Sequence, residues 1–375
     1  MPPRLVPTAR SEALGAKGAR LGIFREARHL GNNSFVVLLD HVRHQVDLLL
    51  GRLFETKLAE ARPLGSDVVI LVEAIRDLTM RGGKRLRPAL LMAAYHAVDP
   101  RAPELVALEA GVALELLQTY LLVHDDWMDQ DEMRRGGPAV HVMLAQHYGS
   151  GRLGDAAAIL AGDYAAGLAL EALAAIAAPA DRIARSLVLF AQVQQDAIRG
   201  QQIDLGAHPD DIEVMHDLKA GSYTVRGPVL LGATLAGASA RVLAMLGRFA
   251  RPLGVAFQLR DDLIGAFGDP RETGKPAGSD IRSAKRTALM VEALSRIAPA
   301  DRRAISETVG RPDASEREIG KVVAIYERCG ARRAVERRLG ELVKQASSVL
   351  GEGGLSKRGS AWLADAAAAL TSRRR

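Results

Sequence analysis

Cysteine is all but missing from this 375-residue chain: Cys329 stands alone, so no intrachain disulfide can form and a cytoplasmic setting suits the sequence. Aromatic residues are scarce too, at 4%. That speaks against sheets, whose strands favour aromatic and β-branched side chains, and against nucleic-acid binding through stacked bases. No run of about 18 apolar residues is free of charge, so no membrane span is expected. The richest stretch, Ala156 to Ala180, is interrupted by Asp163 and Glu171. Neither His124 nor His141 sits at metal-ligand spacing with another His or Cys, so no zinc site is implied.

What is abundant is helix-forming. Hydrophobic residues make up 48% of the chain, and alanine and leucine carry much of that weight. An all-α fold is expected, helices packed on helices. The formal charge of +6 and pI near 9.6 suit phosphorylated ligands or nucleic acid. Residues 1–33 read as a basic tail, with a transit peptide as the runner-up. Residues 34–350 read as one domain, and 351–375 as a last helix ending in Arg373, Arg374 and Arg375. Helical patterning is expected from Ser34 to about Ala61, from Asp67 to Met80, from Pro88, from Ala102 to about Asp131, and from Val140 to about Gly206. It resumes over 212–235 and 240–263, then 285–297 and 314–328. Gly268 to Ser279, rich in glycine and proline, is expected to be a loop.

Two segments place paired aspartates at the end of an apolar helix and follow them with a basic loop. In the first, Asp125 and Asp129 are four apart and share a helix face, with Gln118 seven residues earlier on the same face. With Asp126 beside them, these carboxylates repel one another unless a cation sits between them, and Mg²⁺ fits carboxylates completed by phosphate oxygens. Arg134 and Arg135 then offer planar donors for phosphate. In the second, Gln258, Asp261 and Asp262 share a face, and the loop after them carries Lys275 and Asp280. Upstream, Gly82-Gly83-Lys84-Arg85-Leu86-Arg87-Pro88 joins a permissive backbone to positive charge, a pattern suited to anions.

Taken together, these segments resemble the motifs of the isoprenyl diphosphate synthases: DDxxD followed by RRGxP, GGKRLRP, GQxxD at Gly200–Asp204, and a second aspartate pair followed by GKxxGxD. The resemblance implies a helical bundle around a central cavity, homodimeric, that joins isopentenyl diphosphate to an allylic diphosphate. It implies Mg²⁺, three ions when diphosphate is bound, on Asp125, Asp126, Asp129 and Asp261. It implies Arg134, Lys219 and Lys275 on the allylic diphosphate, with Asp262 also catalytic. Gly83, Lys84, Arg87, Gln118 and Arg135 would hold the isopentenyl diphosphate, and Gln201 and Gln258 would line the substrate site. Departing diphosphate would take the final proton, so no protein base is needed.

Two departures stand out. Gly265 occupies the family's third-aspartate position, and Ala220 follows Lys219 where a threonine is common. Tyr120 and Leu121, five and four residues before Asp125, sit where bulk limits product length in the family. That pattern favours geranylgeranyl diphosphate, with farnesyl second. Two other readings stand beside this one. A class I terpene cyclase lacks the GGKRLRP segment and the second pair with its loop. A non-catalytic subunit of a hetero-oligomeric synthase tends to lose aspartates that are retained here.

Overall fold

The computed structural model describes residues 34–206, 211–268 and 278–372. Among these the fold is all-helical, as the composition implies, apart from a two-residue antiparallel ladder. The contacts of the chain cluster into two compact units. One unit holds the chain up to Val188 together with Leu231–Ala238 and Ser356–Asp365; the other holds Leu189–Leu230, Ser239–Leu355 and the residues from Ala366.

The first unit is built on α1 (Ser34–Ala61), α2 (Ser66–Met80), α3 (Leu86–Val98), α4 (Glu104–Met128), α5 (Val140–Tyr148), α6 (Gly151–Ala174) and the start of α7 (Ala180–Leu205). Helix α4 is its axis. Alanine and leucine on nearly every face make it a helix that must be covered all round, and α3 and α6 pack against it. Phe35, Leu50, Phe54, Ile75, Leu78 and Leu114 are among its fully buried side chains. The apolar pattern from Val140 to Gly206 is not one helix. It breaks at Gly149, which takes a left-handed φ of 63°, and again between Ala175 and Pro179.

The second unit continues α7 and adds α8 (Ile212–His216), a π-helical turn over Asp217–Arg226, the start of α9 (Gly227–Leu235), whose residues from Leu231 belong to the first unit, and the 28-residue α10 (Ala240–Phe267). Short helices α11 (Ser279–Arg282), α12 (Ala288–Leu294) and α13 (Pro299–Ser306) follow, then α14 (Glu316–Arg328), α15 (Ala331–Val349) and α16 (Lys357–Ser372), of which only the residues from Ala366 belong to this unit. Val255, Leu259 and Leu263 of α10 pack with Leu289, Val322, Tyr326 and Val335 in one buried cluster. Helix α13 falls in a stretch without an expected helix. Pro299 sits at its first position, where the missing N–H is harmless.

By length and composition alone, α4, α6 and α10 reach the measure of a membrane span, so the interrupting charges do not by themselves argue against one. In α4, 78% of the most apolar window is buried inside the protein; in α10 the share is 61%, and in α6 only 39%.

Candidate active site

The first aspartate cluster closes α4. Asp129 caps the helix, its N–H bonding the Asp125 carbonyl at 2.8 Å. A hairpin follows: Met133 pairs with Pro138 and Arg134 with Gly137, while Arg135 and Gly136 at the tip take φ of 51° and 75°. Two residues of positive φ are what a two-residue hairpin demands, which explains the glycine but leaves Arg135 in a conformation L-residues avoid. The turn brings Arg134 back over the aspartates. Its Nε donates to Asp126 Oδ1 at 2.6 Å and its Nη2 lies 3.1 Å from Asp131 and 3.7 Å from Asp125.

Asp126 is fully buried, and burial pushes its carboxyl up to about 6 although Arg134 pulls the other way. The acid that opens the motif's second position therefore holds Arg134, while Asp125 and Asp129 remain partly exposed. Arg81 was not singled out from the sequence, yet it fixes this hairpin. It donates to the Pro138 carbonyl at 2.7 Å and pairs with Asp77, and a methyl group at Gly137 would overlap its guanidinium. Its only sequence signal is an arginine abutting Gly82-Gly83.

In the same unit, Gly82 and Gly83 have φ of 67° and 107°, so the loop before α3 is closed to ordinary side chains. Lys84 is exposed, Arg87 and Gln118 are half-buried, and Arg85 is turned fully inward. Arg135 lies against Gly83 and donates to the Leu78 carbonyl at 3.4 Å. Lys84, Arg87, Gln118 and Arg135 are thus carried by one unit. Tyr120 is 7% exposed and meets His124 edge-on, with ring centroids 5.0 Å apart; Leu121 is half-buried. His124 Nε2 lies 3.1 Å from the Ile159 carbonyl, and Gly162 leaves room for its ring.

The second unit gathers the other set. Lys219, on the π-helical turn, is paired with Asp204 of α7, which joins the GQxxD segment to the lysine. Gln201 Nε2 is buried there without a hydrogen-bond partner. On α10, Asp261 is half-buried and Asp262 is 4% exposed. Asp262 accepts the Ala288 N–H at 2.8 Å and the Gln258 amide at 3.1 Å, so it ties α10 to the start of α12. Burial raises its carboxyl to about 7 and drives the neighbouring His216, 3.7 Å away, down to about 4. Gly265, the missing third aspartate, has an occupant beside it. A methyl group there would overlap the carboxylate of Asp280. Lys275 and Asp269 lie outside the described residues.

Among the described residues, no three His, Cys, Asp or Glu side chains stand together in ligand geometry. The donors are nonetheless of the right kind. They are hard carboxylate oxygens, Arg134 already lies among them as a cation, and the buried Oδ2 of Asp126 accepts no hydrogen bond. The set fits a hard divalent ion.

An all-helical chain with paired carboxylates beside arginine-rich loops suits an enzyme that handles diphosphates. Residues 68–326 match the family described as polyprenyl synthetase, and the chain belongs to that family of prenyltransferases. It is 33% identical over 282 residues to the geranylfarnesyl diphosphate synthase of Aeropyrum pernix, covering 73% of this chain and 84% of that one. It is 33% identical over 302 residues to the (2E,6E)-farnesyl diphosphate synthase of Mycobacterium tuberculosis, covering 78% and 80%. Among solved structures, the geranylgeranyl pyrophosphate synthase of Corynebacterium glutamicum, complexed with isoprenyl diphosphate and magnesium, superposes with a TM-score of 0.83. Its identity is 30%, over 90% of this chain and 99% of that one.

Proposed function

We propose that this enzyme performs Mg²⁺-dependent head-to-tail condensation of isopentenyl diphosphate with an allylic diphosphate, releasing a short-chain prenyl diphosphate, geranylgeranyl before farnesyl. The observation that carries it is the hairpin of α4. One arginine lies on the aspartates, and the next lies against Gly83 in the GGKRLRP loop. Two adjacent guanidiniums thus serve two anion sites.

In the first unit Asp125 and Asp129 would hold metal, with Asp126 securing Arg134, and in the second unit Asp261 would do so; metal when bound would neutralise charge growing on the leaving diphosphate. Arg134 and Lys219, each already paired with a carboxylate, are fixed positive charges for the allylic diphosphate. Lys84, Arg87, Gln118 and Arg135 would hold isopentenyl diphosphate so that its double bond meets the allylic carbon. Tyr120, buried and braced by His124, would end the path of the growing chain. Relatives named for farnesyl and for geranylfarnesyl products bracket the expected length.

Purified protein incubated with Mg²⁺, labelled isopentenyl diphosphate and each allylic primer is expected to yield a twenty-carbon diphosphate. Products well beyond twenty carbons would remove Tyr120 as the limit. No product with any primer, from folded protein, would favour a non-catalytic subunit.

The enzyme is further proposed to be a cytoplasmic homodimer. Helix α6 is apolar yet largely uncovered, with Ile159, Leu160 and Leu170 38%, 61% and 40% exposed. Such a face calls for a partner helix. Light scattering should give twice the chain mass for wild type and a monomer for Leu160→Glu; a wild-type monomer would sink the proposal.

A further inference from the structure

Glu115 is absent from every motif, yet it stands among the cations that the isopentenyl diphosphate reading needs. It lies on α4, three residues before Gln118, and is 2% exposed. An acid buried this deeply is retained only with a partner. Its Oε2 accepts from Arg85 Nη1 at 2.5 Å, and its Oε1 is buried without a hydrogen bond. Arg85 in turn donates through Nε to Asp47 at 2.7 Å and through Nη2 to the Thr79 carbonyl at 2.9 Å. One guanidinium therefore joins α1, the end of α2 and α4 across the loop that carries Lys84 and leads to Arg87 in the first turn of α3.

Backbone strain points to the same spot. Among the described residues only four non-glycine residues have positive φ, and Arg85 and Arg135 are two of them, each at 51°. The left-handed conformation is unfavourable for an L-residue; the hairpin turn imposes it on Arg135, and the bonds from its guanidinium to Asp47, Glu115 and the Thr79 carbonyl hold Arg85 in it. Both guanidiniums lie beside Gly83: a methyl group built there would meet Arg85 Nη1 at 3.4 Å and Arg135 Nη1 at 3.6 Å. Like charges this close need a shared counter-charge. Glu115 is that charge for Arg85, and it also favours the charged form of Arg135, which burial and the neighbouring Arg87, Arg85 and Arg134 oppose.

We infer that Glu115 is a positioning residue for isopentenyl diphosphate: by clamping Arg85 it holds the Gly83 loop and Arg135 in the geometry that receives that diphosphate. The inference rests on the proposed reading of Lys84, Arg87 and Arg135, and the test separates the two. Arg87→Gln is measured first. If it leaves KM for isopentenyl diphosphate unchanged, the reading of the site fails, and the inference with it.

With that reading in place, Glu115→Gln should raise KM for isopentenyl diphosphate about tenfold or more, while kcat and KM for the allylic primer stay within about twofold. An unchanged KM, or a loss confined to kcat, would overturn the inference. Removing one partner of a buried pair also threatens folding, so a second variant is needed. Arg85→Met with Glu115→Met removes both charges and fills the same space, and is expected to restore the melting temperature. Its KM for isopentenyl diphosphate should remain raised. A double variant that recovers both melting temperature and KM would show the pair to be packing alone.

Discussion

Replacing Asp125 and Asp129 together by asparagine is expected to lower turnover at saturating substrate by roughly 10³-fold or more while leaving the protein folded. The two side chains are partly exposed at the end of α4, so the swap removes charge without opening a cavity. Arg134 keeps its contacts to the buried Asp126 and to Asp131, so the hairpin retains its anchor. What is lost is the negative face proposed to draw a cation, and with it the proposed means to neutralise the departing diphosphate. Product formation measures the first effect. A thermal shift on adding Mg²⁺ and inorganic diphosphate measures the second, because a ligand that binds only the folded state raises its melting temperature. Wild type should show that shift and the variant should not. Turnover within about tenfold of wild type would mean that these carboxylates do not carry the metal chemistry.

The helices and the anion loops were legible because each rests on a local rule. Alanine- and leucine-rich stretches with 3.6-residue patterning make helices, and the paired aspartates and GGKRLRP segment are contiguous in the chain. What escaped reading depends on burial. Nothing in Gly82-Gly83-Lys84-Arg85-Leu86-Arg87 says that Arg85 turns inward while Lys84 faces solvent; Asp47 and Glu115, far away in sequence, decide it. Nothing in the motif says that Asp126 is its buried member, bonded to Arg134 once the hairpin folds back. The alanine-rich run after Val140 keeps its helical pattern across real breaks, because alanine fits helix and turn alike. The π-helical turn at Asp217–Arg226 has no local signature either. It bulges where Gly221 and Gly254 bring two backbones together, a contact set by α10 rather than by the segment itself.

That turn makes Gly200→Ala a demanding test of how Lys219 is placed. Position 200 lies on α7, and a methyl group there would overlap the backbone nitrogen and Cα of Lys219 and the carbonyl carbon of Leu218. A flexible side chain could swing away; a backbone held by helical hydrogen bonds cannot. The substitution gains about 1 kcal/mol of helix propensity, because alanine replaces glycine inside a helix. Forcing two backbones apart costs about 1–3 kcal/mol and more where neither can yield. The net expectation is a loss of about 1–2 kcal/mol, seen as a melting temperature lower by about 2 °C. Gly51→Ala on α1, where no atom lies within 4 Å of the added methyl, should instead hold or raise the melting temperature. The functional effect should exceed the stability effect. The overlap falls on the residue whose ammonium is paired with Asp204, one turn beyond position 200, so the displacement moves the charge proposed to bind the allylic diphosphate. A misplacement of about 1 Å costs up to about 10²-fold in rate, and turnover of Gly200→Ala is expected to fall on that order in protein still folded at the assay temperature. If Gly200→Ala loses stability but keeps its turnover, the close approach of α7 to the π-helical turn serves packing, and Lys219 is not placed by it.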